Sequence, residues 1–597
     1  MNAISRYGLF TGLLFSMSCW ASVSGTVVHK DKPLEGCGVS LGSSATTTAR
    51  DGGFRLLSPA TAPGSLGIRC EGFAPKFVEV ASGEESLGQI KLKRPNFILI
   101  VSDDHGWVQT STQMDPDDPE TKSDYFRTPN IDRFFESGVK FTQGYSPGTY
   151  CMPTRRAIQT SQSTLRHAFN GQPVKQWTDN YLNLVTIPKT LKSVDPDYMT
   201  AHLGKWDLRY DDPHPQTLGY DVSDGATGNG EGNVDARKTA KGRMDKSALN
   251  PSADPKMIRD LTTRSVDFIR QQVDADKPFF LQLSHYALHL AVYFKPETYD
   301  EVLGWKKGKK HFIPSFAAML KDLDDGIGQF MQELEDLGIR DNTYIIFMAD
   351  NGGRPIQNLG DGSARENLNY PLSEGKHSVY EGGIRVPFAV IGPGLEAGSV
   401  ITTAISGVDI LPTIADIVDS KLELTDTDGG SIKDLIYRES DTVSRPRPFL
   451  VFHDKSGKPK SKSTRADSET ALLQGNLKLI KTWKDGAQHS VELYDLSKDK
   501  GEHEDLASVM PEETARLGKL LDAGETELHR TRCERRDAGR RQAGRDREPG
   551  LVDDRGIGGV THLPHPRAGV WQASLIAARP GAAHPVPART PRRGSRS

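Results

Sequence analysis

NFILIVSDD (residues 96–104) is an unbroken apolar run that ends in two carboxylates, and TYIIFMADNGG (residues 343–353) repeats the arrangement. A strand with solvent on one face alternates apolar and polar residues, so continuous runs of this kind read as strands buried on both faces, the hallmark of a parallel sheet covered by helices. The intervening segments agree. PNIDRFFESG (residues 129–138) and MIRDLTTRSVDFIRQQV (residues 257–273) carry apolar residues at helical spacing. The reading is an α/β domain over residues 95–445, with a largely parallel sheet flanked by helices.

In such sheets ligands bind just beyond the carboxyl ends of the strands. Asp103, Asp104, Asp350 and Asn351 stand at that position, and Gly352 and Gly353 let the second run turn sharply. Several oxygen ligands and about three negative charges in one crevice need a cation to offset them. Oxygen-only donors suit a hard ion, and calcium, which accepts six to eight oxygens in loose geometry, is expected ahead of magnesium. One acidic pair alone reads equally well as a strand-end turn or a helix cap; two pairs favour a metal.

A third element is TYCMPTRRAIQTSQS (residues 149–163), where Cys151 opens a helix, Pro153 suits its first turn and Arg155 lies one turn on. A helix amino terminus and an arginine both stabilise anions. By physics alone Cys151 is equally a structural cysteine in a capped helix.

Outward from this core, residues 22–94 are short alternating runs broken by Gly, Pro and Asp turns, the pattern of a small β-sandwich. Within them SGTVV, KPLEGCGVSL, TTTARDGGFRL and GFAP resemble carboxypeptidase-regulatory-like modules, which are spacers or attachment units, and no chemistry is assigned there. Cys37 and Cys70 both lie in this unit and are candidates for a disulfide. Residues 446–528 hold FLVFHD, ALLQGNLKLIKTW and HSVELYDL, with an Asp485-Gly486 hairpin turn and then a helical stretch, and read as a small antiparallel sheet with a closing helix. Residues 225–255 are Gly-, Asn- and Lys-rich without periodicity and read as a long loop, either a solvated insertion or a substrate contact.

The ends differ from the body. Residues 1–21 place Arg6 before a short apolar run and small residues, a signal peptide too short to span a bilayer. Cleavage after Ala21 leaves a soluble exported protein, periplasmic or secreted; lipid attachment at Cys19 is disfavoured by Ser16, Met17 and Ser18. No other stretch is a candidate transmembrane segment. Residues 529–597 are Arg-rich and contain no lysine, and they read as a disordered tail whose abrupt onset favours a shifted reading frame. The chain has 597 residues, a formal net charge of -3 and five cysteines. That charge gives no electrostatic footprint for nucleic acid. The odd cysteine count directs attention to Cys151, the one cysteine outside the ends and the N-terminal unit.

NFILIVSDDHGW, TPNIDRFFESGVKFTQGYS leading into CMPTR, HLGKW, LSHYALH, FMADNGG, EGKHSVYEGGIRVP and LYDLSKDKGEHEDLA occur in one order between Asn96 and Leu506. This ordered set resembles the formylglycine-dependent, Cys-type sulfatases of the alkaline phosphatase-like superfamily. The resemblance implies a sulfuric ester hydrolase in which a formylglycine-generating enzyme converts Cys151 to formylglycine. It implies that Asp103, Asp104, Asp350, Asn351 and an oxygen of modified Cys151 hold the metal, and that Arg155 steadies the hydrated aldehyde. Lys205 and Lys376 match lysines that bind sulfate oxygens, and His289 matches the histidine at the leaving group; the nearby His285 aligns less well. Two departures stand out. Asp207 follows Lys205-Trp206 where the family commonly has histidine, so a carboxylate would act as base. Thr154 and Ser161 stand where Ser and Gly are usual. The implied substrate is a sulfated carbohydrate, a polysaccharide or glycosaminoglycan fragment. The alternatives are a phosphodiesterase or phosphonate hydrolase on the same scaffold, and a silent binder of sulfated glycans.

Overall fold

The computed structural model describes residues 20–59, 64–81, 86–166, 183–208, 213–234, 236–242, 245, 249–354, 368–454, 468–484 and 487–526. The signal region up to residue 19 and the Arg-rich tail lie outside the described residues, as does the Asp485-Gly486 turn.

The N-terminal strands form two four-stranded sheets. One holds Trp20–His29, Lys32–Pro33, Gly53–Pro59 and Ser86–Lys91, and the other Gly38–Leu41, Ser44–Thr47, Gly64–Arg69 and Lys76–Val80. Val23, Val27, Val39, Leu56, Leu66 and Ile68 fill the space between them. Cys37 and Cys70 form a disulfide there. A closed loop of this length adds about 3–4 kcal/mol to a module with so small a core.

Among the described residues the central sheet has eight strands. In chain order they are β1 (Asn96–Ser102), β2 (Val139–Phe141), β3 (Met199–Gly204), β4 (Val222–Ser223), β5 (Phe279–Ser284), β6 (Thr343–Ala349), β7 (Phe388–Ile391) and β8 (Ser399–Ile401). The spatial order is β4-β3-β5-β1-β6-β7-β2-β8. Every pairing is parallel except the two made by β7, which runs against its neighbours β6 and β2.

The apolar runs are explained by burial on both faces. Along β1, Ile98 and Ile100 enter one core while Phe97, Leu99 and Val101 enter the other, and β6 divides its side chains in the same way. Helices α1 (Pro129–Glu136), α2 (Cys151–Thr160), α3 (Ile187–Val194), α4 (Ile258–Asp274), α5 (Pro314–Asp336) and α6 (Ile410–Ile417) cover the sheet. Those of α1, α4 and α5 pack into the first core, and those of α2, α3 and α6 into the second. Each fully buried aliphatic or aromatic side chain contributes roughly 1.5–3 kcal/mol.

Strands β9 (Leu450–Asp454), β10 (Ser468–Gln474), β11 (Leu477–Lys484) and β12 (Ala487–Asp495) make an antiparallel meander. Phe452, Leu473 and Ile480 face Tyr145, Val379 and Ile384 of the catalytic domain. On the opposite face Leu472, Leu479 and Leu493 meet Leu517 and Leu521 of the helix that begins at residue 511. Lys478 crosses the seam, with Nζ 2.7 Å from Glu381 and 2.7 Å from Glu502, all fully buried. A buried lysine between two carboxylates fixes the register of the sheet, because any slip leaves a charge unpaired.

Candidate active site

Register delivers the polar residues. Ala349 of β6 is opposite Ser102 of β1, and Ser284 of β5 is opposite both Val101 of β1 and Gly204 of β3. Four parallel strands therefore end at one level, and the residues that follow them converge: Asp103-Asp104, Lys205, His285 and Asp350-Asn351. Two glycines permit this crowding. Gly204 has φ +93°, and a Cβ there would lie 2.0 Å from the Ser284 carbonyl; a Cβ on Gly352 would lie 1.9 Å from that of Gly382.

Cys151 reaches the same point from the other side. Tyr150 is extended, Cys151 begins α2, and all ten residues of that helix are buried. Its Sγ lies 3.3 Å from Asp103 Oδ1 and 3.9 Å from Asp104 Oδ1. One ligand atom from each of Asp103, Asp104, Cys151 and Asp350 falls within 4.8 Å of all the others. Thr154 and Ser161 have specific uses. The Thr154 hydroxyl accepts from Gly148 N at 3.0 Å, a role that serine or threonine fills alike. Ser161 closes α2 in the left-handed conformation (φ 54°), the place a glycine usually takes, and its hydroxyl donates to Val408 O at 2.6 Å.

Cations line the carboxylates. Lys205 Nζ lies 2.5 Å from Asp103 Oδ2 and 3.5 Å from Asp207 Oδ2. Lys376 Nζ touches Asp104 Oδ1 and lies 3.1 Å from Cys151 Sγ. Arg155 turns to Asp350, with Nε and Nη2 at 2.9 and 2.8 Å from Oδ2, and donates through Nη1 to Lys205 O. It thus holds a candidate metal ligand and the backbone of a sulfate-binding candidate, and makes no hydrogen bond to Cys151 itself. His289 Nδ1 is 2.6 Å from Leu290 O, which leaves Nε2 as the nitrogen available to a ligand. His285 is buried behind it, and burial pushes its ring down to about 4.

Electrostatics follow from burial and these partners. Burial and then Asp350 push Asp103 up to about 7 against the pull of Lys205. Burial also disfavours ionised Asp104, but the charges of Lys376 and Arg354 hold its carboxyl well below the usual range. Burial, Asp103 and Asp350 push the Cys151 thiol far up, so the unmodified side chain is a poor nucleophile. Burial and Lys376 keep His289 neutral.

The donors fit a hard divalent ion. Three carboxylates present oxygens to one point, and Asn351 Oδ1 is buried with no hydrogen-bond partner among the described residues, while its Nδ2 donates to Asp104 Oδ1 at 2.9 Å. A buried acceptor without a partner beside three carboxylates is a ligand that a cation would take up.

Three contributors were not legible in the sequence. In the 225–255 segment, Thr227 binds the Lys205–Asp207 turn: its hydroxyl accepts from Trp206 N at 3.0 Å and its carbonyl accepts from Asp207 N at 2.8 Å. Asn233 of the same segment accepts from Ala291 N at 3.1 Å and from the buried Lys256 Nζ at 2.6 Å, bracing the loop after His289. Arg354 Nε lies 2.9 Å from Asp104 Oδ2. Its place directly after Asn351-Gly352-Gly353 is the one signal that pointed to it.

Comparison with known proteins gives a consistent result. A family model described as Sulfatase matches residues 95–420. A protein named Sulfatase from Formosa agariphila is 28% identical over 500 residues, covering 70% of this chain and 85% of its own length. The N-acetylgalactosamine-6-sulfatase of Canis lupus familiaris is 26% identical over 384 residues, covering 58% of this chain and 69% of its own. Among solved structures, Ps i-CgsB superposes with a TM-score of 0.55 at 23% identity, over 72% of this chain and 92% of that one. The phosphonate monoester hydrolase of Agrobacterium radiobacter superposes with a TM-score of 0.52 at 18% identity, over 74% and 96%. The two structures share the fold.

Proposed function

The chain belongs to the sulfatase family and is a sulfuric ester hydrolase, and on that premise we propose that it removes sulfate from a carbohydrate ester with Cys151 as formylglycine and calcium as the metal. The observation that carries this reading is the meeting of Cys151 with Asp103, Asp104 and Asp350 within 4.8 Å, with Lys376 3.1 Å from the sulfur. As formylglycine, residue 151 supplies a hydrated aldehyde, of which one hydroxyl takes the sulfuryl group and the other expels it. The ion supplies a Lewis acid that favours ionisation of that hydroxyl and balances charge on the sulfate oxygens.

The chain's own residues do the rest. Arg155, fixed to Asp350 and to the carbonyl of Lys205, keeps two parts of the site in register. Lys205 and Lys376 present ammonium groups to the nonbridging sulfate oxygens, in a water-poor site where such contacts are strong. His289 is neutral with Nδ1–H committed to Leu290 O, so its Nε2 is unprotonated and serves the leaving oxygen by relaying a proton that Lys376 gives up to it. Asp207 is the candidate base for the second half of the cycle. Unaided, a carboxylate with a pKa near 4 is weaker than imidazole, so its position against Lys205 and in the left-handed turn at φ 46° matters.

Sulfated saccharide is the proposed substrate class because sugar sulfatases stand among the relatives, as with the N-acetylgalactosamine-6-sulfatase. Export, with residues 1–21 as signal peptide and soluble release to periplasm or medium, is proposed from the sequence alone. No helix among the described residues is long and apolar enough to cross a membrane. Conversion of Cys151 makes a formylglycine-generating enzyme a necessary partner.

Phosphonate or phosphodiester hydrolysis is the second reading, favoured by the shared fold with a phosphonate monoester hydrolase. Paired rates on a sulfate monoester and a phosphonate monoester with the same leaving group separate the two. Faster sulfate-ester turnover is expected; faster phosphonate turnover would overturn the proposal.

A further inference from the structure

Exposure differs among the side chains of the site. The side chain of Lys376, against Cys151, is 4% exposed, His289 is 8% exposed, and the Arg354 side chain is 22% exposed. An in-line displacement puts the leaving oxygen on the far side of sulfur from the nucleophile, so the organic part of the substrate lies outward of Cys151, on the side of His289 and Arg354. Arg354 joins that group through Asp104, whose Oδ1 contacts Lys376 and whose Oδ2 lies 2.9 Å from Arg354 Nε.

Arg354 is not needed to satisfy the carboxylate it touches. Asp104 already has Lys376 and the Asn351 amide as partners. Arg354 uses Nε alone for Asp104 Oδ2, and its two Nη groups make no hydrogen bond to any described residue. A guanidinium tethered by Nε and open at both Nη groups presents a planar fork that matches a carboxylate or sulfate. Tyr150 and His377, the chain neighbours of Cys151 and Lys376, are half-buried with ring centroids 4.9 Å apart. His377 Nδ1 is buried and without a hydrogen-bond partner among the described residues. The outer wall thus combines an aromatic ledge with an unfilled cationic fork, a surface for a sugar ring that bears charge.

We propose that Arg354 is a specificity-determining residue that binds a second anionic group, a sulfate or a carboxylate, on the saccharide whose sulfate ester is cleaved. This deepens the sulfatase reading and rests on it for the direction in which the sugar lies. Singly charged sugars are then expected to be the poorer substrates.

The test compares wild type, Arg354→Gln and Arg354→Lys on three saccharides: N-acetylglucosamine 6-sulfate, glucosamine 2-N,6-O-disulfate, and N-acetylgalactosamine 6-sulfate linked to glucuronate. Inorganic sulfate release gives kcat/KM on the converted enzyme, and calorimetry gives Kd on the full chain with Cys151 left as the thiol. The preference of wild type for a doubly charged over a singly charged saccharide is expected to fall about ten-fold or more in Arg354→Gln, with partial recovery in Arg354→Lys, whose ammonium lacks the fork. The disulfate and glucuronate arms tell which anion is read. A loss in Arg354→Gln that is equal for all three saccharides in both measurements would overturn the inference. If wild type with converted Cys151 released sulfate from none of them while the affinity difference persisted, the saccharide-substrate reading would fall and the anion site would stand.

Discussion

Lys376 Nζ lies 3.1 Å from Cys151 Sγ while it contacts the Asp104 carboxylate, so one ammonium bridges the nucleophile position and the acidic cluster. Burial works against its charge and Asp104 outweighs that effect, so the lysine stays protonated through the neutral range. Lys376→Met, which keeps the length and removes the charge, is expected to lower kcat by roughly a hundred- to a thousand-fold, the cost of one electrostatic donor at a transition state. Sulfate release by steady-state kinetics checks this, and thermal unfolding checks that the variant folds.

Asp207 bears on the turnover half of the cycle. Its left-handed backbone at φ 46° tolerates asparagine, so Asp207→Asn is nearly isosteric. If the carboxylate is the base, the variant should give a burst of one equivalent of alcohol and then a steady rate about a hundred-fold below wild type or lower. Asp207→His should restore turnover. Stopped-flow measurement with a chromogenic ester reads both phases, and a variant with no burst and a normal steady rate would remove Asp207 from the mechanism.

The cluster of Asp103, Asp104 and Asp350 with the unpaired Asn351 Oδ1 predicts stabilisation by a divalent ion. Calcium at a hundred times its Kd should add about 2.7 kcal/mol to the folded state, and magnesium less at the same concentration. Asn351→Leu should blunt the response. The check is the unfolding midpoint with and without each ion after chelation.

Buried neutral histidines give a pH dependence of defined sign. Burial pushes His311 down to about 4, where it stacks on Phe126 with Nδ1 2.9 Å from Ser123 Oγ. Its folded value is below the unfolded one near 6.5, so protonation favours the unfolded chain and the stability it confers is lost as pH falls from 6.5 toward 4. Buried carboxyls such as Glu502, pushed up to about 7 by burial, act in the opposite sense over pH 7 to 5, so the whole-protein curve mixes both. The difference isolates His311: the stability of wild type relative to His311→Gln should fall by about 2 kcal/mol between pH 7 and pH 5. Denaturant titrations at the two pH values measure it.

Most of the sheet and the inner site could be read from residue order. The two runs that end at Asp103 and Asp350 are buried on both faces, and that burial is why each is continuously apolar. A helix starting at Cys151 followed from Pro153 and Arg155. What could not be read depends on contacts between segments far apart in the chain. Arg155 also binds Asp350, because the fold brings the residue that follows β6 to the first turns of α2. Thr227 and Asn233 brace the site through hydrogen bonds from a segment with no periodicity, and such bonds leave no pattern in a sequence. Lys478, Glu381 and Glu502 are three charges that composition would place in solvent, and burial is possible because they meet each other.

The central claim is that residue 151 acts as formylglycine in the hydrolysis of a sulfate ester. The most direct test is the mass of the peptide containing residue 151, taken from a preparation that is releasing sulfate and was coexpressed with a formylglycine-generating enzyme. The account predicts a loss of about 18 Da relative to cysteine, in proportion to activity across preparations. Full sulfate release from protein whose residue 151 is still a thiol would contradict it.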